Sequence, residues 1–388
     1  MGATRSRKQM TRSKLPNLNH HMRLALQLAR RGYGATSPNP MVGAILVKGG
    51  KVIGRGWHRR AGRPHAEIEA LCDAHKRGHN SKGATLYVTL EPCCTHGRTP
   101  PCTDAIIAAG IKRVVVGAVD PNPKHSGRGF KILRRAGLEV MTGVLAEECA
   151  HLNEAFNHWV IHRTPFVTVK AAMTLDGKIA TPSGESKWIT GREARAYGMK
   201  LRQGSDAILV GINTILKDDP SLTVRTKMKN GSWKMAKPIR RVVLDSLART
   251  PLTAKVVSDE HAALTTIVVS KQAPQKRIAA LAQCVNVLVA PRKDSALGLH
   301  WLLRKLGAEN VTNLLVEGGG EVNASFLLGG FAQRVAFFYA PKILGGRDSR
   351  KGVAGNGVKK LSEVIQLSDI EWRKLGPDLL LTAKVVAR

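Results

Sequence analysis

The chain has 388 residues, 43% of them hydrophobic and 38 of them glycine, enough for two α/β domains that each bury a core. No apolar run approaches the roughly 18 residues of a membrane-spanning helix, the basic start lacks the apolar centre of a signal peptide, and 4% aromatics argue against a base-stacking platform. Lysine plus arginine number 61 against 28 aspartate plus glutamate, a net charge of +33 that attracts polyanions, and the first acidic residue is Glu67. Because the excess is spread over both halves, it reads as a solvated basic surface that steers phosphorylated substrates; no dedicated nucleic-acid partner and no membrane partner are expected. Six scattered cysteines (72, 93, 94, 102, 149, 284) show no disulfide framework, so a reducing cytoplasm is the expected compartment.

Residues 1–17 are polar, basic and free of acid, and read as a disordered arm. A helical pattern at 20–31 leads to the turn Ser37-Pro38-Asn39-Pro40, and 41–47 with 52–57 read as a hairpin through Gly49-Gly50. His65 opens a helix, 84–90 is an apolar strand running into Glu91-Pro92-Cys93, and 104–109 is again helical. A strand at 114–119, a helix at 129–136 and a short strand at 138–141 complete the order αββαβαβαβ, a mixed sheet with helices on both faces. A helical stretch at 145–164 ends on Arg163-Thr164-Pro165, where the domain boundary is placed. Beyond it, strands are expected at 166–172, 207–210, 239–244, 266–269, 285–289, 313–316, 335–339 and 379–386, with helices at 191–203, 276–283, 296–306 and 321–328.

The chemistry of the first half is concentrated in His65-Ala66-Glu67 and in Cys93 and Cys102. One imidazole and two thiolates suit a tetrahedral Zn²⁺ and leave its fourth position open, the arrangement of a catalytic site. Glu67 stands where zinc nucleobase deaminases carry the glutamate that moves protons without touching the metal. Zinc lowers the pKa of water towards about 7, which supplies a nucleophile for an amino-bearing ring carbon. The nine-residue step from Cys93 to Cys102 departs from the P-C-x-x-C pattern of such deaminases, and a structural site with Cys94 as fourth ligand is the alternative. In the second half, Glu317-Gly318-Gly319-Gly320 lies between a strand and a helix, where free backbone N–H groups can cradle a phosphate, although three glycines after a strand can equally be a plain turn. The stretches Met173–Lys178, 183–190 and 218–225 place Trp, Ser, paired Asp and Arg densely in loops that cap strands.

On these residues the chain resembles the bifunctional riboflavin-biosynthesis deaminase/reductase family from about His20 to its end. His65-Ala66-Glu67, Glu91-Pro92-Cys93 and Gly97-Arg98-Thr99-Pro100-Pro101-Cys102 match its deaminase half, including the nine-residue step. The resemblance implies an α/β protein with a zinc-dependent, cytidine-deaminase-like α/β/α domain at 18–150, a connector at 151–165, and a dihydrofolate-reductase-like domain at 166–388 that uses NADPH. It implies zinc on His65, Cys93 and Cys102, proton transfer by Glu67, and pyrimidine and ribose phosphate contacts from Asn39, His58 and Arg98. NADPH would be lined by Ala172, Trp188, Thr214, Asp218, Ser246 and the segment Gly319, Gly320, Glu321, Val322, Asn323, Ala324 and Ser325. Ser186, Arg202, Leu222, Arg225 and Glu317 would contact the phosphorylated pyrimidine substrate, with Lys170 and Asp176 as polar groups near the reacting carbon. The resemblance also suggests a homo-oligomer formed through the reductase half. One departure is Thr95, where family members commonly carry His; His96 stands beside it. Two other classes share some of these features: a nucleic-acid base deaminase with an RNA-binding second domain, and a non-catalytic zinc-stabilised RNA-binding protein.

Overall fold

A computed structural model describes residues 15–96, 100–227, 233–291 and 298–386, and the chain divides into two compact units, 1–162 and 163–388. The division falls inside the stretch expected to connect two domains, and residues 151–162 pack with the first unit. Asn153 shows how. Its buried amide accepts from the Met41 N–H at 2.8 Å and donates to the Met41 carbonyl at 2.9 Å, as a neighbouring strand would.

In the first unit the elements run α1 (Leu15–Ala29), β1 (Gly43–Lys48), β2 (Lys51–Trp57), α2 (Ala66–Lys76), β3 (Thr85–Leu90), α3 (Cys102–Ala108), β4 (Arg113–Ala118), α4 (Arg128–Arg135), β5 (Glu139–Thr142), α5 (Ala146–Leu152) and α6 (Glu154–His162). The helix α1 starts at Leu15, so the last three residues expected in the basic arm are helical, while 1–14 lie outside the described residues. The sheet order is β2-β1-β3-β4-β5, antiparallel across β2-β1-β3 and parallel across β3-β4-β5. Strand alternation divides its side chains between two cores. Ala44, Leu46, Leu86 and Val88 pack with Ala66, Ala70, Ile106 and Leu133 of α2, α3 and α4; Ile45, Val47 and Tyr87 pack with Met22, Ala25 and Cys149 of α1 and α5. This is the expected α/β/α sandwich.

The second unit continues with β6 (Phe166–Thr174), β7 (Lys178–Ala180), α7 (Arg192–Gln203), β8 (Ala207–Gly211), α8 (Ile212–Asp218), β9 (Val224–Lys227), β10 (Trp233–Lys237), β11 (Arg240–Leu244), α9 (Lys255–Ser258), β12 (Thr265–Val269), α10 (Gln275–Ala282), β13 (Asn286–Val289), α11 (Leu299–Ala308), β14 (Asn313–Val316), α12 (Gly320–Leu328), β15 (Arg334–Ala340), β16 (Arg350–Lys351), β17 (Leu367–Leu375) and β18 (Asp378–Val385). Its main sheet has the order β13-β12-β11-β8-β14-β6-β15-β18-β17, parallel from β13 to β15 and antiparallel at β18 and β17. After moving outward from β8 to β13, the chain returns to insert β14 between β8 and β6. The carboxyl ends of β8, β11 and β14 therefore meet where the winding reverses, which is where open α/β sheets bind ligands.

Glycines set how closely α2 lies on its strand. A Cβ on Gly54 would collide with the Ala70 carbonyl, and one on Gly56 with the Ala66 carbonyl, whereas a Cβ on Gly198 in α7 would meet nothing within 4 Å. Gly56→Ala is therefore expected to destabilise the protein by about 1–3 kcal/mol through overpacking, and Gly198→Ala to stabilise it by about 0.5–1 kcal/mol. Paired thermal-unfolding curves check this, and the two substitutions should move Tm in opposite directions.

Candidate active sites

Three elements converge on the first site. His65 is the residue before α2, Cys102 opens α3, and Cys93 follows β3 by three residues. The ligating atoms of His65, Cys93 and Cys102 lie within 4.8 Å of one another. His65 Nδ1 is 3.3 Å from Cys102 Sγ and 3.5 Å from Cys93 Sγ. Zn–N and Zn–S bonds of about 2.0 and 2.3 Å at a tetrahedral angle give an N···S edge of about 3.5 Å, so this donor set fits zinc. Cys94, the alternative fourth ligand, turns instead towards His125, with Sγ 3.8 Å from Nδ1, while Thr95 Oγ1 approaches the same ring's Nε2 at 3.5 Å. His96, beside Thr95, is exposed. The Cys102 thiol is hydrogen-bonded to Cys93, which lowers the Cys93 pKa to about 4 and raises that of Cys102.

Glu67 sits in the first turn of α2 at 3% exposure. Burial, followed by the charge of Cys93, pushes its carboxyl up to about 7, the range in which a group both accepts and releases a proton. His58 is buried too, its ring 5.2 Å from that of His65. Its Nδ1 lies 3.1 Å from the Pro64 carbonyl and can only donate there, so Nε2 of the neutral ring accepts from Asn39 Nδ2 at 3.1 Å. Burial lowers the His58 pKa, in keeping with a neutral ring. Among the described residues Asn39 Oδ1 has no protein donor and can accept from a ligand. Arg98 lies outside the described residues. The motif reading gave no role to Glu91, whose buried carboxylate accepts from the N–H groups of Gly127 (2.9 Å), Gly129 (3.0 Å) and Asp120 (3.3 Å). It fixes the loop that carries His125. The signal was its place directly after β3 in Glu91-Pro92-Cys93.

The second site is a cleft of about 1040 Å³ at the carboxyl ends of β8, β11 and β14. Thr214, Asp218, Ser246, Gly319, Gly320, Glu321, Val322 and Ser325, all expected around the cofactor, line it, as do Ser186 and Glu317 from the expected substrate set. Gly319 caps α12 with no side-chain hydrogen bond to its free N–H groups, and a Cβ on Gly319 would meet nothing within 4 Å, so the glycine leaves an open cradle. Gly320 is the opposite case, pressed against the Lys351 carbonyl. This open helix start fits a dinucleotide phosphate.

Several expected residues do not line the cleft. Asn323 and Ala324 belong to the same run but lie on the buried face of α12, where Asn323 Nδ2 donates to the Gly352 carbonyl at 2.8 Å. Ala172 packs with Phe338, and Trp188 is 66% exposed with the Arg195 guanidinium 4.6 Å over its ring. Leu222 is a core residue in left-handed backbone (φ 48°), and Arg225 is exposed on β9. Asp176 braces an exposed loop, accepting from Thr174 Oγ1 (2.6 Å), Gly345 N (2.8 Å) and Leu344 N (3.1 Å), and these bonds hold its carboxyl at about 2. Lys170 is half-buried, its ammonium 5.7 Å from the Phe338 ring.

Arg202 and Glu317 are joined to each other. Arg202 Nε and Nη2 donate to the two carboxylate oxygens at 2.9 and 2.7 Å, and Nη1 donates to the Thr223 carbonyl at 3.0 Å. Two residues expected to contact the substrate thus pair with each other, the guanidinium fork closing on the carboxylate.

A model of the cytidine and deoxycytidylate deaminase zinc-binding region matches residues 16–118, and one of the RibD C-terminal domain matches 165–381. The riboflavin biosynthesis protein RibD of Aquifex aeolicus (strain VF5) is 45% identical over 365 residues, 94% of this chain and 98% of the relative. A structure from Thermotoga maritima, described as a diaminohydroxyphosphoribosylaminopyrimidine deaminase/5-amino-6-(5-phosphoribosylamino)uracil reductase, is 37% identical with TM-score 0.82 over 96% of this chain and 100% of its own. RibD of Acinetobacter baumannii is 34% identical with TM-score 0.83 over 96% and 99%.

Burial raises the Glu317 pKa, but the charge of Arg202, then that of Lys170, prevails and holds the carboxyl at about 2. Its unfolded value is about 4.3. The pair's contribution to stability is therefore complete above that unfolded value and is lost as pH falls through the folded one. Glu317→Gln leaves a buried guanidinium uncompensated and is expected to cost about 3–5 kcal/mol at neutral pH. Denaturant titrations should show this gap constant above about pH 5 and narrowing towards about pH 2. A gap that widened on acidification would contradict the ionic pair.

Proposed function

The chain belongs to the bifunctional riboflavin-biosynthesis deaminase/reductase family, and on that footing we propose that it performs two consecutive steps on one ribosylaminopyrimidine 5′-phosphate. The first unit hydrolyses the 2-amino group of 2,5-diamino-6-ribosylamino-4(3H)-pyrimidinone 5′-phosphate and releases ammonia. The second reduces the ribosyl group of 5-amino-6-(5-phosphoribosylamino)uracil to ribityl with NADPH. The observation that carries this reading is the His65–Cys93–Cys102 donor set with Glu67 buried beside it, in one chain with a cleft that opens on the start of α12.

His65, Cys93 and Cys102 would hold the zinc, which would supply Lewis acidity that brings water towards a pKa of about 7. Glu67, itself raised to about 7, takes the proton that water gives up and passes it to the ring nitrogen, then takes the proton of the hydroxyl added at the ring carbon and delivers it to the amino group, which leaves as ammonia while the carbonyl forms. His58 holds Asn39 by its amide nitrogen, so that the Asn39 carbonyl oxygen is directed to donors on the pyrimidine edge. In the second unit the cleft lined by Thr214, Asp218, Ser246 and the start of α12 would hold NADPH, which would bring hydride chemistry to the ribosyl C1′. The open backbone at Gly319 and the first turn of α12 take a cofactor phosphate, Thr214, Asp218 and Ser246 line the rest of its site, and Ser186 faces the substrate. Glu317 contributes a carboxylate whose orientation Arg202 fixes from behind. Self-association through the second unit belongs to this reading, supported by the edge strand β17, which leaves Ile370 and Trp372 exposed. So does a reducing, cytoplasmic setting, supported by six cysteines that are all free.

Glu67→Gln should keep zinc bound and lower ammonia release by at least about a hundredfold, measured with zinc content in parallel; retained turnover would sink the proton-transfer role. Cys102→Ser should lose zinc and deamination while NADPH oxidation with the deaminated intermediate persists. Gly319→Asp fills the cradle with a side chain of the wrong charge and should raise the Kd for NADPH about tenfold or more, a loss of about 1.4 kcal/mol; an unchanged Kd would displace the cofactor phosphate from α12.

A further inference from the structure

We infer that Lys217 and Arg350 form a phosphate-binding subsite in the cleft of the second unit, the anion site that Arg202 does not provide. The inference rests on the reductase reading for the identity of the ligand, and on geometry for the site. Lys217 comes from the last turn of α8 and Arg350 from β16, and both line the cleft. They converge on one point. A Cβ placed on Gly184, which also lines the cleft, would stand 3.4 Å from Lys217 Nζ and 3.6 Å from Arg350 Nη2, the two nearest groups outside the neighbouring residues Ser183 and Glu185.

Two cations that face one gap repel each other unless an anion lies between them. Among the described residues neither has a carboxylate partner. The acids that line the same cleft are engaged elsewhere: Asp218 with Lys187 at 3.5 Å, Glu317 with Arg202 at 2.7 Å, and Glu321 with the Gly355 N–H at 3.5 Å. Gly184 at φ +99° contributes no side chain to the gap. A planar guanidinium and a mobile ammonium facing one gap complement a phosphate, the first by paired N–H donors and the second as a point charge. The phosphate group can arrive on two molecules, the dinucleotide or the ribosylaminopyrimidine phosphate.

The test uses the full-length enzyme, with Lys217→Gln, Arg350→Gln and the double variant. The Kd for NADPH and for NADH, the KM for the deaminated substrate, and the Tm with and without inorganic phosphate are measured. The double variant is expected to weaken at least one ligand about tenfold, without a fall in Tm in phosphate-free buffer, because repulsion has been removed. Weakening of NADPH alone assigns the subsite to the 2′-phosphate, weakening of both dinucleotides to the pyrophosphate, and a raised KM alone to the substrate's 5′-phosphate; each supports the subsite. Inorganic phosphate should raise the Tm of the wild type and not that of the double variant. Unchanged Kd and KM values overturn the inference, whether or not Tm falls. If the wild type binds neither dinucleotide, the reductase reading fails; phosphate protection of the wild type alone then still supports the subsite, and its absence overturns both.

Discussion

The deaminase centre depends on how closely helix α2 lies on strand β2. Its two contributions, His65 at the helix entrance and Glu67 in the first turn, are placed by the path of the helix over the sheet, and Gly54 and Gly56 bring the backbone of α2 against that of β2. A side chain on either glycine would meet a carbonyl of α2 rather than a yielding side chain. A tilt of the helix would carry Glu67 out of its pocket while moving His65 away from the two sulfurs, so proton transfer and metal binding share one mechanical origin. In the second unit the same economy appears at α12, where Gly320 is pressed to backbone and Gly319 is open. One glycine permits contact and the next reserves space.

Three glutamates, Glu67 and Glu91 buried and Glu317 largely so, show that environment, not residue type, sets the role of a carboxyl group. Glu67 has burial and a thiolate beside it and is pushed up to about 7, so it can carry a proton. Glu317 has a guanidinium clamped across it and a lysine nearby, and at about 2 it stays an anion at any pH where the protein works. Glu91 receives three backbone N–H groups and acts as a fixed joint between the end of β3 and the loop at 120–129. A sequence shows three glutamates near glycine, proline or cysteine. Only the partners, drawn from residues far along the chain, separate a shuttle from an anchor.

This separates what could be read from the chain and what could not. The zinc donors were legible because the chemistry of imidazole and thiolate at a helix entrance needs no knowledge of distant contacts, and the order of elements in the first unit followed from alternation and turn residues. A run of neighbours on a helix points in several directions, so Gly319, Gly320, Glu321, Val322 and Ser325 line the cleft while Asn323 and Ala324 lie on the buried face of α12. The bond from Arg202 to Glu317 leaves no mark in the sequence because the two residues lie 115 residues apart. The strand β17 went unread for another reason: as an edge strand with every residue from Ser368 to Lys374 exposed, it carries no hydrophobic alternation. The pair β7 and β16 is too short to leave any pattern.

The charge of +33 takes on a sharper meaning once cations are sorted by partner. A field spread over the whole surface raises the encounter rate of every anion alike and fades as salt shortens its reach to about 10 Å at 0.1 M. It cannot tell a cofactor from a nucleic acid. Arg241, buried at 1% and forked onto Asp259 at 2.7 and 2.8 Å, contributes to the count but offers nothing to a ligand, and Arg202 is engaged in the same way. Lys217 and Arg350 differ because they face one gap in a cleft whose acids already have partners. Discrimination among anions comes from such local convergence, where a phosphate must lose water and fit between fixed donors, while the surplus elsewhere only hastens its arrival.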